Sequence, residues 1–219
     1  MKNAVIMLIF AFMLAIASLN FSFAEETRII RVSPSYEQRY LNSTFFVNIT
    51  FSSPTPLLAM QCEIKYNPDV LHAIEVYKGN AFEGWSGDIA PWLIEIDNEN
   101  GVIKGLFAYS PQGVYEGVFA RINFIGVAMG ESNIELTNVI AGDENDIPVN
   151  IAIYNGSIEI VSYPWDVNMD GSIDVLDMII IAQHWMETPE NPNWYKRADV
   201  NNDGVVNVLD LITVGQHFD

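Results

Sequence analysis

One cysteine in 219 residues excludes an intrachain disulfide framework. Basic residues are scarce as well: 10 Lys and Arg stand against 28 Asp and Glu, for a formal net charge of −18. That deficit excludes the electrostatic footprint of a nucleic-acid binder or of a protein held on anionic membrane surfaces, and suits one that binds cations. After the first two dozen residues no apolar run reaches spanning length. Between residues 27 and 161 no stretch keeps a helical period with caps. The chain also shows no local pair of carboxylates of the sort glycoside hydrolysis needs across a cleft, so it does not read as an enzyme. Nor is there an evenly spaced row of surface aromatics.

What is present begins with "MKNAVIMLIFAFMLAIASLNFSFAEE". An early lysine, a long apolar run and small residues at Ser22 and Ala24 predict a secretory signal peptide over 1–24, with Glu25 as the mature N-terminus. An uncleaved anchor is the alternative. A cleaved leader implies a secreted or cell-surface protein, and three sequons follow at Asn42, Asn48 and Asn155.

Residues 27 to 161 read as strands. "FFVNITF", "LAMQCEIKY", "GVIKGLFAY", "GVFARINFIG", "SNIEL" and "GSIEIV" are short, rich in β-branched and aromatic residues, and bounded by Gly, Pro, Asn and Asp. About nine such strands predict a two-sheet sandwich of the jelly-roll or immunoglobulin kind. Its expected core is Phe46, Ile49, Phe51, Met60, Cys62, Ile64, Ile122 and Phe124. Cys62 alternates with the apolar set Leu58, Met60, Ile64 and Tyr66, so it is expected as a buried thiol. Trp85 and Trp92 lie in loop-rich sequence, where core, a docking surface and a stacking platform for sugar are all open.

After "SYPW" the pattern changes. Residues 166–185 and 199–218 align at an offset of 33 with 11 of 20 positions identical, an internal duplication. Each copy sets side-chain oxygens at positions 1, 3, 5, 9 and 12 of a loop with glycine at position 6 (Gly171, Gly204). The first supplies Asp166, Asn168, Asp170, Asp174 and Asp177; the second supplies Asp199, Asn201, Asp203, Asn207 and Asp210. Position 7, Ser172 and Val205, offers a backbone carbonyl. A hard cation taking six to eight oxygens at roughly 2.3–2.6 Å accounts for this spacing, and two Ca2+ ions are expected. An Asx-rich turn accounts for one such phrase, not for two in register each followed by a helix. Two features depart from an EF-hand: position 12 is Asp, and no helix precedes either loop. Four carboxylates in loop one against three in loop two predict tighter binding by the first. So small a segment has little core, so metal is expected to supply much of its folding free energy.

Those departures carry a resemblance. The segment 166–219 resembles a dockerin domain, a duplicated calcium loop with one helix per loop. Through "YNPDVL" and "NGVIKGLFAYSPQGVYEGVFARINF" the region 25–161 resembles a cohesin, the dockerin's receptor. The expected organisation is therefore a mainly β cohesin-like jelly-roll sandwich, a linker over 162–165 and a small α-helical dockerin. That linker spans at most about 14 Å. The resemblance implies a non-catalytic adaptor of a cellulosome-like or related extracellular assembly, pairing with dockerin-bearing proteins on one side and a cohesin-bearing protein on the other. It assigns partner choice to positions 10 and 11 of each loop, here Val175, Leu176, Val208 and Leu209, for which simple core packing is the alternative. On the cohesin side it assigns an open sheet face including Ala59, Gln61, Glu63 and Tyr109.

Both helices, "VLDMIIIAQHW" and "VLDLITVGQHF", are apolar nearly all round, so part of each must be covered by a partner or left exposed. Head-to-tail self-association is one outcome. A carbohydrate-binding sandwich carrying a dockerin is the alternative to the adaptor, with polysaccharide as ligand. His184 and His217, at equivalent helix ends, are expected to cap the helix C-termini.

Overall fold

The structure is a computed structural model that describes residues 27–90, 93–145 and 148–218. The predicted signal peptide over 1–24 and Trp92 lie outside those residues. No helix among the described residues is long and apolar enough to cross a membrane.

Among the described residues ten strands form one hydrogen-bonded network: β1 (Ile29–Ser33), β2 (Tyr36–Tyr40), β3 (Thr44–Lys65), β4 (Leu71–Lys78), β5 (Gly84–Trp85), β6 (Glu95–Asp97), β7 (Val102–Gly126), β8 (Gly130–Gly142), β9 (Ala152–Tyr154) and β10 (Gly156–Val161). A short helix, α1 (Ser86–Ile89), follows β5. The network runs through both layers because β3 and β7 each serve both. The first half of β3 pairs with β1 and with the second half of β7, which in turn pairs with β4. The second half of β3 pairs with β8 and with the first half of β7, flanked by β5 and β6. β10 joins β8 and runs parallel to β2.

The sequence reading took each of these long strands as two. "SSPTPLLA" and "YSPQGVYEG" read as turns because they hold Pro54, Pro56, Pro111, Gly113 and Gly117. In the fold they are the bends at which register slips between Ser52 and Leu57 and the strand passes from one layer to the other. Proline lacks the ladder donor and glycine bends freely, so these residues interrupt pairing without ending the strand.

Ile49, Phe51, Met60, Cys62, Ile64, Ile122 and Phe124 are buried as expected. Phe46 is not. Strand side chains alternate, and the inward set is Phe45, Val47, Ile49 and Phe51, so Phe46 falls on the outer face at 36% exposure. There the Arg121 guanidinium lies 3.7 Å from its ring centroid, and Tyr77 packs beside it. Leu58 also departs from the reading: the irregularity between Leu57 and Ala59 puts Leu57 in the core and leaves Leu58 half-buried. Burial pushes the Cys62 thiol up to about 12, and Trp85 packs edge-on against Phe119 in the core.

Beyond β10 a second cluster forms around Val167, Ile173, Ile181, Val206 and Val214. It holds α2 (Val175–Gln183), a single 3-10 turn (Lys196–Ala198) and α3 (Val208–Gly215). The halves are bridged by Met186 donating to the Val206 carbonyl at 2.8 Å and Val206 donating to the Glu187 carbonyl at 3.0 Å.

Candidate functional site

Each duplicated loop is wound around its own carboxylates. Asp166 accepts from the amides of Asp170 (3.2 Å) and Gly171 (3.0 Å), and Asp199 accepts from Asp203 (3.1 Å) and Gly204 (3.0 Å). The turn at position 6 needs a left-handed backbone, with φ of 86° at Gly171 and 90° at Gly204, which glycine adopts without a Cβ penalty.

Position 12 closes the loop and starts the helix in one act. Asp177 accepts from Val167 (2.7 Å) and Asn168 (3.1 Å) with one oxygen and from Asp174 (2.9 Å) with the other. Asp174 in turn accepts from Leu176 (2.7 Å), completing a capping box. Asn207 and Asp210 repeat the arrangement at α3.

Asp166, Asp177 and Asp210 are fully buried and Asp199 nearly so. Among the described residues, none of the ion pairs includes them. Burial holds the Asp166 carboxyl above its ordinary range and the Asp177 charge adds to this, while the Gly171 amide opposes it. Buried carboxylates without a cation are costly, and a bound cation relieves that cost. Asparagine amides partly fill the positive role: Asn168 donates to Asp170 (2.7 Å), Asn201 to Asp203 (2.9 Å) and Asn207 to the Val205 carbonyl (2.9 Å). Among the described residues no three His, Cys, Asp or Glu gather into a ready-made metal cage. The donor set of buried carboxylates, amide oxygens and the carbonyls of exposed Ser172 and half-buried Val205 nevertheless has the chemistry of a hard-cation site.

The helices leave one face open. Val175, Leu176, Val208 and Leu209 are exposed, with Leu176 at 49% and Leu209 at 51%, so neither leucine is core. Ile181 and Val214 supply the buried stripe. The His184 amide is the C-cap donor of α2, and its ring meets Glu187 at 2.8 Å. The His217 ring lies 2.7 Å from the Thr213 carbonyl.

On the sandwich, Ala59, Gln61 and Glu63 lie on one face of β3. Ala59 pairs with Tyr109 and Gln61 with Phe107 across β7, and Ile140 of β8 pairs with Gln61 on the other side. Glu63 accepts from the Asn138 amide at 2.7 Å. Tyr109 lies across Gly84, where a Cβ would come 2.0 Å from its ring. A cleft of about 500 Å³ opens beside this row, lined by Gln61, Glu63, Ile89, Leu93 and Phe107 among others.

The sequence reading missed how the two clusters meet. Tyr40 stacks on Tyr163 (4.0 Å between centroids), Tyr163 on Trp165 (5.9 Å) and Trp165 on the His217 ring (3.7 Å). Arg197 donates to the Tyr163 and Asp166 carbonyls and to Ser162 Oγ, fastening the same segment to the first loop. Its signal was visible: Lys196 and Arg197 are the only basic residues after Arg121.

Comparison with known proteins returns two family matches, a Cohesin domain over residues 32–160 and a Dockerin type I domain over 164–219. Among solved structures the chain is similar to a non-cellulosomal cohesin from the hyperthermophilic archaeon Archaeoglobus fulgidus, with a TM-score of 0.50 and 19% identity over 62% of this chain and 92% of that one. It is also similar to chains of two type I cohesin–dockerin complexes from Clostridium thermocellum. One has a TM-score of 0.50 and 14% identity over 63% of this chain and 95% of that one. The other has a TM-score of 0.50 and 15% identity over 62% and 99%. No curated protein matches.

Proposed function

Because this chain belongs to the cohesin family and carries a dockerin type I domain behind its sandwich, we propose that it is a secreted, calcium-dependent adaptor. Cohesins and dockerins are non-catalytic interaction modules. In this reading residues 25–161 receive a dockerin-bearing protein, and residues 166–219 plug into a cohesin-bearing one. The setting is an extracellular, cellulosome-type assembly that degrades polysaccharide or dresses the cell surface.

The observation that carries the calcium step is the repeated pair of buried carboxylates without a basic partner, Asp166 with Asp177 and Asp199 with Asp210. Two ions are held in this reading, by Asp166, Asn168, Asp170, Ser172, Asp174 and Asp177, and by Asp199, Asn201, Asp203, Val205, Asn207 and Asp210. Because the position-12 carboxylate also caps its helix, ion binding and helix formation are one event, which makes plug formation calcium-dependent. Val175, Leu176, Val208 and Leu209 form the plug's contact face. Ala59, Gln61, Glu63 and Tyr109 belong to the receptor's.

The test is titration calorimetry of residues 25–219 with Ca2+, followed by capture on immobilised cohesin and dockerin domains with and without EDTA. Two bound ions and calcium-dependent capture on cohesin support the reading. Retention on polysaccharide alone, with neither module captured, favours a carbohydrate-binding sandwich instead.

A further inference from the structure

The contact face of the plug is chemically unusual for so acidic a chain. Val175, Leu176, Ile179, Val208, Leu209 and Ile212 are all exposed. The only ionisable side chains within α2 and α3, Asp177 and Asp210, are fully buried in the loops. Arg197 is committed to backbone carbonyls and to Ser162. The two helices therefore meet a partner with branched aliphatic side chains and no exposed charged side chain of their own.

The receptor face has the same character. Ile89, Leu93, Phe107, Tyr109 and Ile140 stand exposed around the 500 Å³ cleft, and Glu63, whose carboxylate is the one among the described lining residues, accepts from Asn138. A foreign plug bearing carboxylates would have to bury them beside Glu63, which costs more than the contact returns. An uncharged plug suits this receptor.

The two faces cannot meet within one molecule as it is folded. Asn42 bonds the first loop through Gly171, and the stack from Tyr40 to His217 holds the helices against the β2–β3 end of the sandwich. Both faces are uncovered at once in that arrangement. We propose that the partner of each face is a second copy of this chain, plug into receptor, giving head-to-tail assemblies. This rests on the receptor-and-plug reading above. A heterologous contact of this kind extends until a ring closes or a partner caps it.

The charge distribution gives the proposal a signature. Both segments are net acidic, so copies repel at long range and attract only through the apolar faces. Added salt strengthens the association, whereas pairing driven by opposite charge weakens.

The experiment is sedimentation velocity of residues 25–219 in calcium from about 1 to 100 µM, a range that brackets a micromolar Kd. Mass should climb severalfold with concentration, climb further in salt, and return to monomer in EDTA. Two surface variants then separate the faces: Leu176→Asp with Leu209→Asp for the plug, and Phe107→Asp for the receptor. Each alone should stay monomeric with both calcium sites filled, and an equimolar mixture should stop at 1:1 dimers. Wild-type chain that stays monomeric while calcium-loaded overturns the proposal, as does assembly that persists in both variants. Such a monomer, if captured on a foreign cohesin domain, leaves the adaptor reading intact; captured on neither cohesin nor dockerin, it removes both.

Discussion

The Asn42 side chain donates a hydrogen bond to the Gly171 carbonyl at 3.0 Å, joining a turn of the sandwich to the sharp bend of the first candidate calcium loop. The duplicate glycine has no such neighbour. A Cβ on Gly171 would meet Asn42 at 2.5 Å and Leu41 at 2.8 Å, whereas one on Gly204 meets nothing within 4 Å. The duplication is thus symmetric in sequence and asymmetric in surroundings.

That asymmetry predicts unequal glycine variants. Gly204→Ala bears only the left-handed backbone cost, about 1–2 kcal/mol. Gly171→Ala bears the same cost plus overpacking of roughly 1–3 kcal/mol. Thermal unfolding in excess calcium should rank the two in that order, and equal shifts would contradict the contact. A glycan on the Asn42 amide would likewise displace it, so N-glycosylation there should loosen the two modules.

Tyr163→Ala, which removes the ring that meets Tyr40 of the sandwich, should loosen the junction between the modules without unfolding either. It removes two ring contacts, each worth about 0.5–1.5 kcal/mol. Small-angle scattering should show a broader distribution of overall dimensions, with far-UV circular dichroism unchanged.

Register supplies a third prediction. Phe45→Ala opens a core cavity and should cost about 3–5 kcal/mol. Phe46→Ala removes a ring that lies outside, under Arg121, where the cation–π contact is worth about 0.5–1 kcal/mol at an exposed site. Denaturant midpoints of the two variants should differ accordingly.

Cys62 should resist alkylation in the native protein. Burial raises its thiol from 9.0 to about 12, so the folded state holds the proton where the unfolded state releases it. The sign is that of a raised acid: its contribution to stability is whole below pH 9 and declines as pH rises toward 12. At pH 8 the thiol should react with iodoacetamide only as the sandwich opens, in step with unfolding measured by fluorescence.

The sequence disclosed most where chemistry demands fixed offsets. Carboxylates and amides at fixed offsets fold a loop back on its own backbone and cap the helix that follows, so both loop–helix units were readable from the chain alone. Strand alternation likewise placed Ile49, Met60 and Ile122 inside. The expectation for Phe46 broke that rule rather than followed it: counted back from Ile49 and Phe51, alternation puts Phe45 inside and Phe46 outside, as the fold has them. The passage of β3 and β7 between layers was hidden because Pro54 and Gly113 look the same in a bend as in a turn. The stack from Tyr40 to His217 was hidden for another reason: its rings come from distant parts of the chain, and no local period announces them.

β10 is the last strand of the sandwich, and it leads through Ser162 directly into the ring stack. It is flanked on both sides, antiparallel to β8 and parallel to β2 over its length. A tension applied through the docked helices therefore pulls β10 along its own axis and loads both ladders in shear, with many hydrogen bonds strained together. Tugging at right angles would instead peel them apart one by one. If both modules hold partners, the junction between them is thereby fitted to carry a load.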